Sequence, residues 1–277
     1  MKLKHTTTKL AALGATTLIG TNLYAGAAAA QTASEDWDFR ATLYLFYSSI
    51  GGDIRLPTGA GAEIDLSQDD LVDHLKFTGM VAFELQRGRW GGFADAIYLD
   101  IGDSKSDTGM LAIGGGTPLP PGITADVSLD TKAWVVTLAG NYRVLSSDAT
   151  KLDFIAGARL LDIDTTFNYA FNTDFGPFSG PARTGGAETK FSNWDAVVGL
   201  KGELKFGADR TWFARYYADV GTGDSDLTWQ AIAGVGYAFG QSEVVLAWRY
   251  LDYEFASDDQ VENLEFNGPA LGFTFRW

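Results

Sequence analysis

The sequence predicts an all-β chain that folds as one closed antiparallel β-barrel, and three observations lead to this prediction. Apolar and polar residues alternate with a period of two over segments of about ten residues, repeated along most of the chain. The connections between these segments are alternately long and short. After Ala30, no uninterrupted apolar run is long enough for a membrane-spanning helix.

The first predicted strand shows the alternation. One face carries Trp37, Phe39, Ala41, Leu43, Leu45 and Tyr47, and the other carries Asp38, Arg40, Thr42, Tyr44 and Ser48. The same pattern predicts ten strands, with eight or twelve as alternatives. They lie near residues 37–50, 75–87, 89–101, 126–144, 151–169, 189–206, 211–221, 226–240, 243–254 and 263–277.

The connections support the even strand count. Long connections are expected at 51–74, 102–124 and 170–187, and tight ones at Gly88, 146–150, 207–210 and Gln241, with connections of moderate length at 222–225 and 255–262. Outer-membrane barrels have short periplasmic turns and longer external loops. An even number of strands brings both termini to the short-turn side, as this alternation requires.

The N-terminus predicts export. Lys2, Lys4 and Lys9 precede an apolar stretch at 10–20, and the small residues at 25–30 offer a peptidase site after Ala30. We therefore expect a signal peptide at 1–30 and a single barrel domain at 31–277. The chain has no cysteine, so disulfides do not stabilise it. Because only helices and closed barrels satisfy the backbone within lipid, the expected location is the cell outer membrane of a Gram-negative bacterium.

Aromatic residues cluster near predicted strand ends, as in the interfacial girdles of membrane barrels. On the short-turn side these are Trp37, Trp90, Tyr142, Trp212, Tyr237, Phe239 and Trp277, and on the other side Tyr47, Tyr98 and Tyr250. Strand length and loop alternation favour the barrel over a soluble β-sandwich. The last strand alternates apolar and polar residues and ends in Trp277. It resembles the C-terminal signal read by the barrel-assembly machinery, which is therefore an expected partner.

Several segments resemble a family of uncharacterised proteobacterial outer-membrane barrels of porin-like or OmpA-type architecture. The segments are 37–53 with Gly51-Gly52-Asp53, Gly88-Arg89-Trp90-Gly91 leading to Ala94-Asp95 and Tyr98-Leu99, Gly157-Ala158-Arg159, Asp219-Val220-Gly221 followed by 225–230, and 249–253. The resemblance covers most of the mature chain. It implies an outer-membrane barrel and no assigned biochemical activity.

The inward face of the predicted barrel carries acids and bases together. The predicted lumen-lining residues are Arg40, Lys76, Glu84, Asp95, Arg143, Arg159, Asp195, Lys201, Glu203, Arg215, Asp219 and Arg249. Ten strands enclose a narrow interior, and buried charges must be paired. Two hypotheses remain open: an ion-pair network that plugs a structural barrel, or a thin porin-like conduit for small solutes.

A rim enzyme acting on lipid or peptide is an alternative. His74 follows Asp69, Asp70 and Asp73 and could form a dyad, but neighbours on a strand point to opposite faces and no serine lies at a suitable spacing. We therefore assign no catalytic residue. An adhesion or interaction barrel is a further alternative.

The charge is acidic, with a formal net charge of −14. This argues against binding to nucleic acid, which needs a basic surface. The expected neighbours are outer-membrane lipid and lipopolysaccharide, whose phosphates divalent cations could bridge to acidic loops. Those loop residues are Asp53, Glu63, Asp65, Asp69, Asp70, Asp73, Asp258, Asp259, Glu262 and Glu265. No sequence motif predicts a cofactor or a resident metal.

Overall fold

The computed structural model describes residues 36–55, 61–66, 75–107, 123–175, 178–179, 183–256 and 261–277. The predicted signal peptide and His74 lie outside these ranges. Within them, no helix is long and apolar enough to cross a membrane. The strands are β1 Trp37–Phe46, β2 Ser49–Arg55, β3 Gly61–Leu66, β4 Leu75–Arg87, β5 Trp90–Asp107, β6 Ile123–Ser146, β7 Thr150–Phe175, β8 Phe178–Ser179, β9 Arg183–Phe206, β10 Trp212–Gly223, β11 Leu227–Phe239, β12 Ser242–Glu254 and β13 Val261–Arg276.

A closed barrel of ten antiparallel strands confirms the predicted fold class and strand count. The order around the barrel is β1, β4, β5, β6, β7, β9, β10, β11, β12 and β13. The last strand returns to the first, with a register that runs from Arg40 opposite Arg276 to Phe46 opposite Ala270. Closure leaves no open edge, so the wall satisfies its own backbone hydrogen bonds.

The predicted loops contain more strand than the sequence indicates. The segment expected as a loop from 51 to 74 holds most of β2, which pairs with β13, and all of β3, which pairs with β2. Strands β5, β6, β7 and β9 also run past their predicted ends, and β8 pairs with the tip of β7. The alternation of apolar and polar residues is imposed by lipid, whereas backbone pairing can continue beyond it, so the extensions carry a weaker sequence signal.

Four tight connections mark one end of the barrel, which we call the short-turn end. They lie at 88–89, 147–149, 207–211 and 240–241. Gly88 and Gly240 have φ values of 61° and 64°, which a residue with a Cβ adopts only at a cost. The opposite end is called the loop end. In outer-membrane barrels the short-turn end faces the periplasm.

The outer wall carries a continuous belt of exposed apolar side chains. Leu43, Leu45 and Leu246 are each more than 60% exposed. At the short-turn end, aromatic rings surround the wall, with Trp277 stacked on Phe39 at 5.7 Å between ring centroids and Trp90 edge-on to Tyr142 at 4.9 Å. A soluble monomer rarely exposes an apolar surface of this extent. The belt therefore faces lipid, and the barrel spans a membrane.

Candidate functional site in the barrel lumen

Three ion pairs cross the lumen between strands that are not neighbours in the wall. Arg249 on β12 donates to Asp95 on β5 at 2.7 Å. Lys201 on β9 donates to Glu84 on β4 at 2.8 Å. Arg40 on β1 lies 3.4 Å from Glu203 on β9. These pairs connect opposite walls of the barrel. In each pair, the attraction between the two charges offsets the cost of removing them from bulk water.

A charged cluster surrounds Glu203 in the half of the lumen nearer the short-turn end. Its Oε2 accepts from Nε and Nη2 of Arg215 at 2.9 and 2.8 Å, and Lys205 lies 3.9 Å from Oε1. Arg215 also donates to Glu243, which pairs with Arg276 at 3.2 Å. The whole charged cluster is Arg40, Glu84, Arg143, Lys151, Asp153, Lys201, Glu203, Lys205, Arg215, Glu243 and Arg276.

A second buried group lies deeper in the lumen around Arg159, whose side chain is fully buried. Its guanidinium donates to the hydroxyls of Thr137 and Thr228, each at 3.1 Å, and to the carboxylate of Asp219. The hydroxyl of Tyr217 donates to the same carboxylate. Because the side chains of this group come from four different strands, β6, β7, β10 and β11, the group fixes the strands relative to one another.

The half of the lumen nearer the loop end is filled by apolar side chains, which we call the apolar layer. Ile97, Leu161, Leu251 and Tyr253 are 0% exposed, although all four lie on the inward face of the barrel. Seven of the ten barrel strands contribute to the packing, namely β1, β4, β5, β6, β7, β12 and β13. The layer consists of Phe46, Ile50, Met80, Ile97, Leu99, Ala133, Val135, Leu161, Leu251, Tyr253, Phe255, Phe266 and Ala270.

Below the apolar layer, toward the short-turn end, lies a cavity of about 150 Å³. Charged groups line its outer part, among them Asp38, Lys151 and Glu203, and apolar groups line its inner part, among them Met80 and Ala270. The side chain of Glu84 is 41% exposed although its partner Lys201 reaches it from the opposite wall, so Glu84 faces this open space.

The structure brings most of the predicted lumen residues into contact with one another. Arg40, Glu84, Arg143, Lys201, Glu203 and Arg215 belong to the charged cluster, Asp95 pairs with Arg249, and Arg159 pairs with Asp219. Asp195 lies apart from them, where it accepts from Asn193 at 2.6 Å and from Ser225 at 2.8 Å. Lys76 lies on β4, but its side chain is outside what the structure describes.

Four lumen residues are not among the predicted lumen-lining residues. Asp153 pairs with Arg143 at 2.8 Å, Glu243 and Arg276 complete the charged cluster, and Gln230 accepts from Arg249 at 2.6 Å. Each of these residues occupies an inward position of a predicted strand, so the period of two could have found them.

The other candidate sites are described only in part. The side chains of Asp53, Glu63 and Asp65 are not described, and Asp69, Asp70, Asp73, His74, Asp258 and Asp259 lie outside the described ranges. Glu265 is described and accepts from the hydroxyl of Tyr250 at 2.9 Å. Among the described residues, no group of three or more His, Cys, Asp or Glu side chains could hold a metal ion.

No family model and no curated protein matches the sequence. Solved structures of outer-membrane proteins are similar. The outer membrane protease OmpT from Escherichia coli shares 12% identity at a TM-score of 0.41, over 89% of this chain and 98% of that one. OprG from Pseudomonas aeruginosa shares 13% identity at a TM-score of 0.30, over 89% and 97%. Neisserial surface protein A shares 10% identity at a TM-score of 0.30, over 87% and 97%.

Three features of the structure point to the same class of protein. They are the closed antiparallel wall, the lipid-facing belt with its aromatic girdle, and the alternation of short turns with longer connections. A wall of this kind satisfies its backbone within lipid, and it is the architecture of outer-membrane proteins. The chain is an integral β-barrel of the outer membrane.

Proposed function

We propose that the protein is a structural outer-membrane barrel whose lumen is closed, rather than an open porin. The apolar layer is the observation that carries the proposal. Its side chains pack against one another inside the barrel, and Ile97, Leu161 and Leu251 are fully buried, which supports a filled interior at this level. An ion that crossed this layer would lose its hydration without gaining ligands, which is the basis of closure by apolar constrictions.

The cross-lumen ion pairs support the same proposal. Arg249 with Asp95 and Lys201 with Glu84 hold opposite walls together at two levels. A wide pore needs its charged rings to face water, whereas these charges face one another. The network therefore acts with the apolar layer to keep the interior filled.

The test is single-channel conductance of the mature protein refolded into planar lipid bilayers. We expect no discrete conductance from the native barrel. Replacing two inward residues of the apolar layer, Leu161→Ser with Leu251→Ser, should produce discrete steps that increase with salt concentration. Leu246→Ser is the matched control, because Leu246 lies on the same strand as Leu251 but is 63% exposed on the lipid face. Discrete steps from the native barrel would overturn the proposal.

A narrow conduit is the second candidate, and the cavity is the observation that favours it. The cavity already occupies the half nearer the short-turn end, so only the apolar layer would have to open. Native conductance that changes when Arg40 is replaced by Gln would favour this candidate, because Arg40 lines the cavity.

A further inference from the structure

The cavity has a direction, since its lining changes from charged to apolar along the barrel axis. The outer part, nearer the short-turn end, is lined by charged side chains of the charged cluster. The inner part is lined by Tyr44, Met80, Ala82, Ile232, Val245, Ala247 and Ala270, together with Asp95 and Arg249, whose charges are paired with each other. A molecule that matched this lining would have a charged head at the open end and an apolar body directed toward the apolar layer.

The charged lining favours an anionic head. The charged residues that line the cavity are six bases, Arg40, Arg143, Lys151, Lys201, Arg215 and Arg249, and five acids, Asp38, Glu84, Asp95, Asp153 and Glu203, so bases are in slight excess in a protein whose formal net charge is −14. A local excess of one sign within low-dielectric walls attracts counter-ions of the other sign.

Among the basic residues of this lining, Lys151 is the one whose charge is least neutralised by neighbouring acidic side chains. Among the described side chains no carboxylate lies within ion-pair distance of it, whereas Lys201 reaches Glu84 and Arg143 reaches Asp153. Arg40 can also donate hydrogen bonds to a ligand. Its one described ion pair, with Glu203, is long, with 3.4 Å between Nη1 and Oε2. Both residues line the cavity.

We propose that this cavity is a binding site for a small organic anion with a short apolar tail, entered from the short-turn end. Lys151 and Arg40 bind the anionic head, and the tail lies against Tyr44, Met80 and Val245. A cation–π contact holds Lys201 in position, since its ammonium lies 4.7 Å from the ring centroid of Phe93. The site does not require the apolar layer to open, so it is independent of whether the barrel conducts.

The size of the cavity limits the ligand. The cavity is open toward the short-turn end, so its volume of about 150 Å³ limits the buried tail, and an apolar space of this size holds roughly six carbon atoms. A volume of this kind excludes long acyl chains and whole lipids. Short-chain carboxylates therefore fit the volume, the charge and the lining together, and hexanoate is a suitable probe.

The experiment is a titration of the refolded full-length mature barrel in detergent micelles with hexanoate, followed by calorimetry. We expect saturable binding that weakens at least tenfold in Lys151→Gln and is retained in Lys151→Arg. Lys190→Gln is the matched control, because Lys190 is exposed near the loop end, where it pairs with Asp164. Partition into micelles is the same for all variants and is measured with the control.

Two changes of probe examine the two halves of the ligand. Hexan-1-ol, which lacks the charge, should bind at least tenfold more weakly than hexanoate. Butanoate should also bind roughly tenfold more weakly, because each buried methylene contributes about fourfold to affinity. Absence of saturable binding to the native barrel, or equal affinity in Lys151→Gln and Lys190→Gln, would overturn the proposal. Lys151→Arg separates a loss of charge from a failure to fold.

Discussion

Asp95 and Arg249 form an ion pair across the lumen of the barrel, with 2.7 Å between Oδ1 and Nη2, although 154 residues separate them in the chain. The two residues lie on β5 and β12, which share no backbone pairing. Arg249 is 1% exposed and is further held by Gln230 on the neighbouring strand β11. This contact fixes the distance between opposite walls, which backbone pairing around the barrel leaves free to vary.

We expect Asp95→Asn to destabilise the barrel by roughly 3 kcal/mol, because it leaves the guanidinium of Arg249 buried without its counter-charge. Asp164→Asn is the matched control, since the pair between Asp164 and Lys190 is exposed to solvent and its loss should change stability far less. Urea titration of the lipid-embedded protein measures both changes. Equal stability of the two variants would show that the cross-lumen pair contributes nothing beyond a surface pair.

Gly157 marks a place where the inner wall is too close for any side chain. A Cβ at this position would overlap the carbonyl oxygen of Leu138 and lie 2.5 Å from the Cα of Ala139, both backbone atoms that cannot move aside alone. We expect Gly157→Ala to cost roughly 1–3 kcal/mol in the same titration. At Gly51 a Cβ would meet nothing within 4 Å, so Gly51→Ala should leave stability nearly unchanged.

The strand count could be predicted from the sequence because lipid imposes the signal directly. Leu43 and Leu45 face the bilayer while Thr42 and Tyr44 face inward, so each strand records the environment of its own two faces. The alternation identified the lumen face for the same reason. It also placed Asp95 inside, although that residue interrupts the apolar pattern of its strand.

The arrangement within the lumen could not be predicted, because the period of two gives the face of a residue and not its partner. Glu84 and Lys201 meet across the barrel only because strand tilt and register bring β4 opposite β9. The apolar layer was missed for a related reason. Leu251 and Tyr253 share an inward face with Arg249, and only the closed structure shows that apolar residues from several strands reach the same level.

The lipid-facing belt can be tested at its middle. Leu246 lies in the central part of β12 and its side chain is 63% exposed. We expect Leu246→Arg to cost roughly 2–4 kcal/mol in lipid, because a charge near the bilayer midplane loses its hydration. Glu254→Arg, at the loop end of the same strand, should cost about 1 kcal/mol or less. A small cost for both variants would place the hydrocarbon core away from Leu246.

Trp277 connects the closing seam of the barrel to its expected route of assembly. Its backbone carbonyl accepts from the amide of Phe39 at 3.0 Å, and its ring stacks on the rings of Phe39 and Phe275 at centroid distances of 5.7 and 5.8 Å. We propose that the barrel-assembly machinery reads this final strand. The backbone contacts survive in Trp277→Ala, so the variant should still refold in lipid in vitro.

In cells, by contrast, we expect Trp277→Ala to reach the outer membrane at a several-fold lower level, because the aromatic end of the recognised strand is lost. Trp90→Ala is the matched control, since Trp90 is also an exposed girdle tryptophan at the short-turn end but lies on β5. Immunoblotting of outer-membrane fractions, with refolding yield measured in parallel, separates the two roles. Equal losses in both variants would assign Trp277 to the interfacial girdle alone, and a loss of refolding in vitro would assign it to closure of the barrel.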